Sequence, residues 1–121
     1  MLVLILAASG VALYRWSSSG QMDQFIENHS DPQKTPALLS FIGGVYHAFQ
    51  DTKTAAHYYR WITEKYSDYK DVARVRFELA QCYEDDHLRR EALEQYVILK
   101  DSFTATTYGQ LGQKKFDQTR F

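Results

Sequence analysis

The residues with the most chemical capacity are Glu84, Asp85, Asp86 and His87, the chain's one cluster of acidic and imidazole side chains, together with Cys82, its single cysteine. Carboxylates beside a histidine are the ingredients of general acid–base catalysis or of a metal site, but either use needs groups that converge on one point. Four consecutive residues fan around a turn, so this run reads as a solvated connection between helices. His47 and His57 are ten positions apart without a carboxylate or cysteine at ligand spacing, and they read as surface or packing residues. A lone Cys82 makes no internal disulfide, and in an apolar helix it reads as a buried thiol. There is no glycine-rich phosphate loop and no cysteine pair. These residues imply no catalytic group, no cofactor and no metal, so the chain reads as a protein that is not an enzyme.

The elements around this cluster repeat. Sliding the sequence on itself by 37 residues aligns Ile42 with Leu79, Gly43 with Ala80, Tyr46 with Tyr83, Ala55 with Ala92, Tyr59 with Tyr96, Ile62 with Leu99 and Tyr66 with Phe103. Only the first pair of the series, Leu39 with Arg76, changes character. Self-similarity at a fixed period in this range is the signature of stacked supersecondary units. Within each copy the apolar residues recur at helical spacing, pause at a polar break and recur again, which predicts helix, turn, helix. Small residues at Gly43, Ala80, Ala55 and Ala92 let paired helices approach, and the tyrosines one turn away fill the space between them.

The motif resembles the tetratricopeptide repeat, a 34-residue helical hairpin. Leu39, Ile42, Gly43, Tyr46, Ala55, Tyr59 and Ile62 meet its pattern in the first copy, and Leu79, Ala80, Tyr83, Ala92, Tyr96 and Leu99 meet it in the second. Arg76 departs from it at a usually apolar position, Gln50 and His87 stand where the turn usually has glycine, and Ser67 and Thr104 replace the closing proline. Longer repeats ending in an aromatic, as at Tyr66 and Phe103, are similar to those of bacterial cell-envelope proteins. The resemblance implies an all-α fold with repeats over residues 36–70 and 73–104. It also implies a concave surface lined by the first helix of each hairpin, bringing Ser40, Gly44 and His47 beside Arg74, Phe77, Gln81 and Glu84. The family's carboxylate-clamping members use Lys and Asn at such places. Ser40, Gly44, Phe77 and Gln81 do not supply them, so binding of a free peptide carboxyl terminus is disfavoured.

Residues 1–14 carry no charge, and Leu2, Val3, Leu4, Ile5, Leu6, Val11 and Leu13 make them the most apolar stretch, followed by Tyr14, Arg15 and Trp16 as an interfacial belt. Residues 1–16 are expected to be a single-pass membrane anchor, although 16 helical residues reach only about 24 Å against a hydrocarbon core of roughly 30 Å. A cleaved signal peptide is the rival reading. It is weakened by the absence of a basic residue before the apolar run. Arg15 alone would hold the repeats on the cytoplasmic side, whereas the envelope-type repeat favours the periplasm, and the periplasmic side is the expectation adopted.

Residues 17–35 form a linker in which Met22, Phe25 and Ile26 predict a short amphipathic helix, expected to have a structural role in covering the exposed face of the first repeat. Thr35 and Pro36 mark the next helix start, as cap and first helical residue, and Asp71 marks the corresponding start before Val72. Residues 105–121 are expected to be a capping helix with Tyr108, Leu111 and Phe116 on one face. Two repeats need such end elements, because stacked units leave bare ends.

A net charge of −1 offers no bulk attraction to nucleic acid, and no small-molecule site is indicated. The expected partners are the bilayer, through residues 1–16, and other proteins. Two Trp, nine Tyr and seven Phe exceed what two hairpins bury easily, so Tyr58, Trp61, Tyr69 and Tyr108 are read as interface aromatics. Trp61 follows the inward Tyr59 by two residues and is expected to point away from the core. The reading is a structural subunit of a larger membrane complex, and the alternative is a module that recruits a partner transiently through the concave groove.

Overall fold

The computed structural model describes residues 20–119, whose regular structure is entirely α-helical. The anchor segment, with Leu2, Leu4, Ile5, Leu6, Val11, Leu13, Tyr14 and Trp16, lies outside the described residues. No described helix is long and apolar enough to cross a membrane. The chain divides into two units, Met1–Asp31 and Pro32–Phe121.

In the first unit the described element is α1 (Gln21–Asn28), entered through Gly20 at φ 81°. Met22 and Ile26, one turn apart, are buried, while Phe25 is 51% exposed. The expected apolar face is therefore narrower than the sequence implied. Phe25 sits about 100° around the helix from Ile26, and its ring stacks on His29 at 4.3 Å instead.

The second unit holds α2 (Lys34–Ala48), α3 (Thr52–Lys65), α4 (Val72–Asp85), α5 (Arg89–Ser102) and α6 (Thr107–Thr119). Each helix packs on the next in the chain, and α4 also touches α6. Shifted by 37 residues, α3 becomes α5 at both ends, and α2 becomes α4 apart from its first residue. Both hairpin turns close in the same way. Gln50 and His87 take left-handed conformations, φ 63° and 61°. Asp51 N–H donates to the Tyr46 carbonyl at 2.9 Å and Leu88 N–H to the Tyr83 carbonyl at 2.7 Å. Gln50 and His87 N–H donate to the carbonyls of His47 and Glu84, both at 3.0 Å. This is the Schellman closure, in which a left-handed residue lets the last carbonyls of a helix find donors.

Helix starts differ in detail from the sequence reading. The first helical residue of α2 is Lys34, so Thr35 lies inside the helix rather than capping it. Pro36 is the third helical residue, where its missing N–H still falls among the amides that have no intrahelical acceptor. The Asp51 side chain caps α3 through Thr54 N at 3.3 Å. Asp71 precedes α4 without a side-chain cap, and its carboxylate accepts from the Tyr69 hydroxyl at 3.4 Å.

Burial follows the repeat. Leu39, Ala55, Tyr59 and Ile62 in the first hairpin and Leu79, Ala80, Ala92, Tyr96 and Leu99 in the second are fully enclosed. A Cβ on Gly43 would stand 2.8 Å from the Tyr59 ring, so the absence of a side chain there sets the approach of α2 to α3. Arg76, at the position of Leu39, is half-buried and survives by donating to Gln95 Oε1 at 3.1 Å on α5. At α6, a Cβ on Gly109 would run into the Phe103 backbone carbonyl.

Two outcomes follow from these backbones. His87→Gly removes a left-handed side chain that costs about 1 kcal/mol, and it is expected to raise the melting temperature by roughly 4 °C. Gly109→Ala sets a methyl against backbone that has no rotamer to move. It is expected to destabilise the fold by about 3 kcal/mol, read as a lowered denaturant midpoint at unchanged slope.

Candidate partner interface

The residues expected on the concave surface come from α2 and α4, and the structure commits most of them to one another. Ser40, 7% exposed, accepts from Arg74 Nη2 at 2.7 Å, and Arg74 Nη1 reaches Glu78 at 3.1 Å. Burial works against the Arg74 charge, but the Glu78 and Asp71 carboxylates outweigh it and hold the guanidinium above its ordinary value. His47 faces Asp85 at 3.5 Å. Gly44 is exposed above the Tyr59 hydroxyl.

The second half of the expected groove is occupied by α6. Phe77 is half-buried between the rings of Tyr96 at 6.2 Å and Tyr108 at 5.8 Å. Glu84 accepts from the Tyr96 hydroxyl at 2.8 Å and from Thr119 Oγ1 at 3.3 Å, with Lys115 Nζ at 3.8 Å. Gln81 is half-buried. Phe77 and Glu84 thus hold the last helix and are not an open anchor.

The aromatics expected to face partners are mostly enclosed, which corrects the outward placing of Trp61. Tyr58 is 2% exposed, Trp61 8% and Tyr69 6%, with Tyr108 half-buried. The reason is a ladder of rings, Tyr46 on Tyr58 at 5.9 Å and Tyr58 on Trp61 at 6.4 Å, near parallel in both steps. Tyr58 and Trp61 are three residues apart and share a face of α3, where each shields the next.

The acidic run disperses. Glu84 turns to α6, Asp85 to His47, and Asp86 accepts from Thr52 Oγ1, which ties the two hairpin turns together. Among the described residues no group of three or more His, Cys, Asp or Glu side chains could hold a metal ion. Cys82 is fully buried, and burial, then Asp85 and Asp86, push its thiol up to about 12, far from a reactive thiolate. The enclosed Tyr59 hydroxyl has no hydrogen-bond partner among the described residues, whereas its repeat mate Tyr96 has Glu84. Burial, then the Glu78 carboxylate, raise the pKa of Tyr59, so the hydroxyl stays protonated.

What the sequence reading missed is an apolar stripe on α2. Leu38 is 47% exposed, Phe41 71%, Val45 40% and Phe49 81%. The spacing of three and four residues puts Leu38, Phe41 and Val45 along one side of α2, and Phe49, which immediately follows the helix, extends the line by four more. The signal was legible in that spacing, but it was hidden because α2 is apolar on every side. Its mean character gives no hint of which face is covered. Compared with known proteins, the chain matches no family model and no curated sequence.

The ring ladder changes the outcome expected at Trp61. Trp61→Ala is expected to cost the chain about 3 kcal/mol, measured by chemical denaturation. A loss below about 0.5 kcal/mol would return the indole to the surface.

Proposed function

We propose that the chain is a non-catalytic protein–protein interaction subunit of the tetratricopeptide type, held at a membrane by residues 1–16 and built into a larger membrane complex. The observation that carries this reading is the exposed stripe of Leu38, Phe41, Val45 and Phe49. The two phenylalanines alone expose roughly 300 Å² of ring surface, already the size of the largest apolar patch on a typical monomer. Leaving that surface in water costs solubility unless another protein covers it.

The family assignment is supported by the 37-residue register, the paired left-handed turns and the enclosed small and aromatic residues at matching positions. The membrane anchor is supported by the uncharged opening run, and the periplasmic side by the likeness to envelope-type repeats. The alternative, transient recruitment through the concave groove, is less well supported. Ser40, Arg74, His47 and Glu84 already satisfy one another or their neighbours.

The test is co-purification. The full chain, extracted from its native membranes in mild detergent, is expected to carry a stoichiometric protein partner that a Phe41→Ser, Phe49→Ser double variant loses. Both side chains are mostly exposed, so the variant's circular dichroism and melt should stay within about 0.5 kcal/mol of the parent. Retention of the partner by the double variant would sink this reading.

A further inference from the structure

Resting on the interaction reading, we infer that the stripe on α2 is the seat of an α-helix from a different protein, docked as α3 docks on α4. The chain contains its own precedent for this surface. Shifted by 37 residues, Leu38 and Val45 become Val75 and Cys82 on α4, both fully buried in a helix that packs on the preceding α3. One further step makes Leu38 into Gly112 on α6. That residue is buried against α5, where an added Cβ would meet Leu99 Cβ at 2.7 Å. The same side of three successive first helices is thus covered twice by a preceding second helix. On α2 it is apolar and 40–47% exposed at these two positions. The interface that builds the stack continues onto this face.

The covering helices also define the occupant's chemistry. The positions enclosed in both α3 and α5 are Ala55, Tyr59 and Ile62 in the one and Ala92, Tyr96 and Leu99 in the other. A helix with a small residue, a tyrosine four positions on and a branched aliphatic three beyond fits the same role. Charge points the same way, because α2 contains no acidic residue and no charged side chain lies within the stripe. The facing side of the occupant should therefore be uncharged.

A second copy of this chain is a poor occupant. Its α5 is already covered by α6, and α6, the last described helix, exposes Gln110, Gln113, Lys114 and Asp117. Gln113 and Asp117 stand where Leu39 and Gly43 stand on α2, and they hydrogen-bond each other at 3.2 Å. Pairing α2 with α2 would rest on the stripe alone, well below the roughly 800 Å² per partner of a stable dimer. A single helix laid along the face needs less area, as in helix-in-groove recognition.

The probe is a peptide of residues 51–66 of this sequence, stapled on its outer face to hold it helical and labelled for anisotropy. It is titrated with the full chain in lipid nanodiscs, with empty discs as the blank. Binding weakened at least tenfold by Val45→Glu and by Leu38→Glu, but unchanged by Gln81→Ala, is expected. Several results would overturn the inference. They are no binding above the blank, binding indifferent to both stripe variants, and displacement of the probe by a peptide of residues 20–31, which would assign the face to the chain itself. Self-association lost on Val45→Glu, seen by sedimentation, would likewise replace the helix with a second copy. If the probe fails while the double variant still sheds its co-purified partner, only the occupant is wrong. If the probe binds but the partner is retained, the interaction reading is what fails.

Discussion

The fit of Tyr59 beneath Gly43 is the contact on which the first hairpin depends. With no Cβ at Gly43, the ring enters the seam between α2 and α3, and Tyr96, at the matching repeat position, is fully enclosed as well. Close approach at these points determines how far apart the helices lie. The turn must then be short enough to keep them there, which is why Gln50 and His87 accept left-handed backbone without being glycine. The strain at the turns is tolerated because the enclosed tyrosines and aliphatics stabilise the hairpin by several times more.

The two ends of the stack are built in opposite ways. On α6 the side that would meet a following helix is made of amides and charges, with Gln113 bonded to Asp117. On α2 the side that would meet a preceding helix is made of Leu38, Phe41, Val45 and Phe49. Substituting polar residues is how a repeat array closes an end to water. Among the described helices of the second unit, α6 carries that polar substitution and α2 does not.

How much of this was legible in the sequence depended on whether a residue's surroundings are local. Both repeats were readable because their helices have a 3.6-residue rhythm and recur 37 apart, and the all-helical fold follows from that rhythm. The matching turns were readable as places where glycine is missing, though not as left-handed backbone. The fates of Tyr58, Trp61 and Phe77 were not readable. Each is decided by rings on another turn or another helix, Tyr46 for the first pair and Tyr96 with Tyr108 for Phe77. The start of α2 was misplaced by two residues for a milder reason: proline is tolerated anywhere in the first turn, so Pro36 marks a region and not a residue. The α2 stripe was overlooked because a helix apolar all round offers no contrast by which to find its bare side.

The differences between the two repeats carry more functional information than their likeness. Where α4 and the residue that follows it have Glu78 and Asp86, α2 and the residue that follows it have Phe41 and Phe49. The acids are used internally, Glu78 with Arg74 and Asp86 with Thr52. Placing a carboxylate at position 41 or 49 would have left α2 better solvated without disturbing Leu39, Gly43 or Tyr46, which face the core and its edge. Neither hairpin needs a phenylalanine at these positions to fold, since both side chains are more than two-thirds exposed. Folding therefore does not account for them. Large apolar residues at solvent-facing positions of α2, where α6 carries amides and charges, are the feature on which the proposed contact with another protein rests.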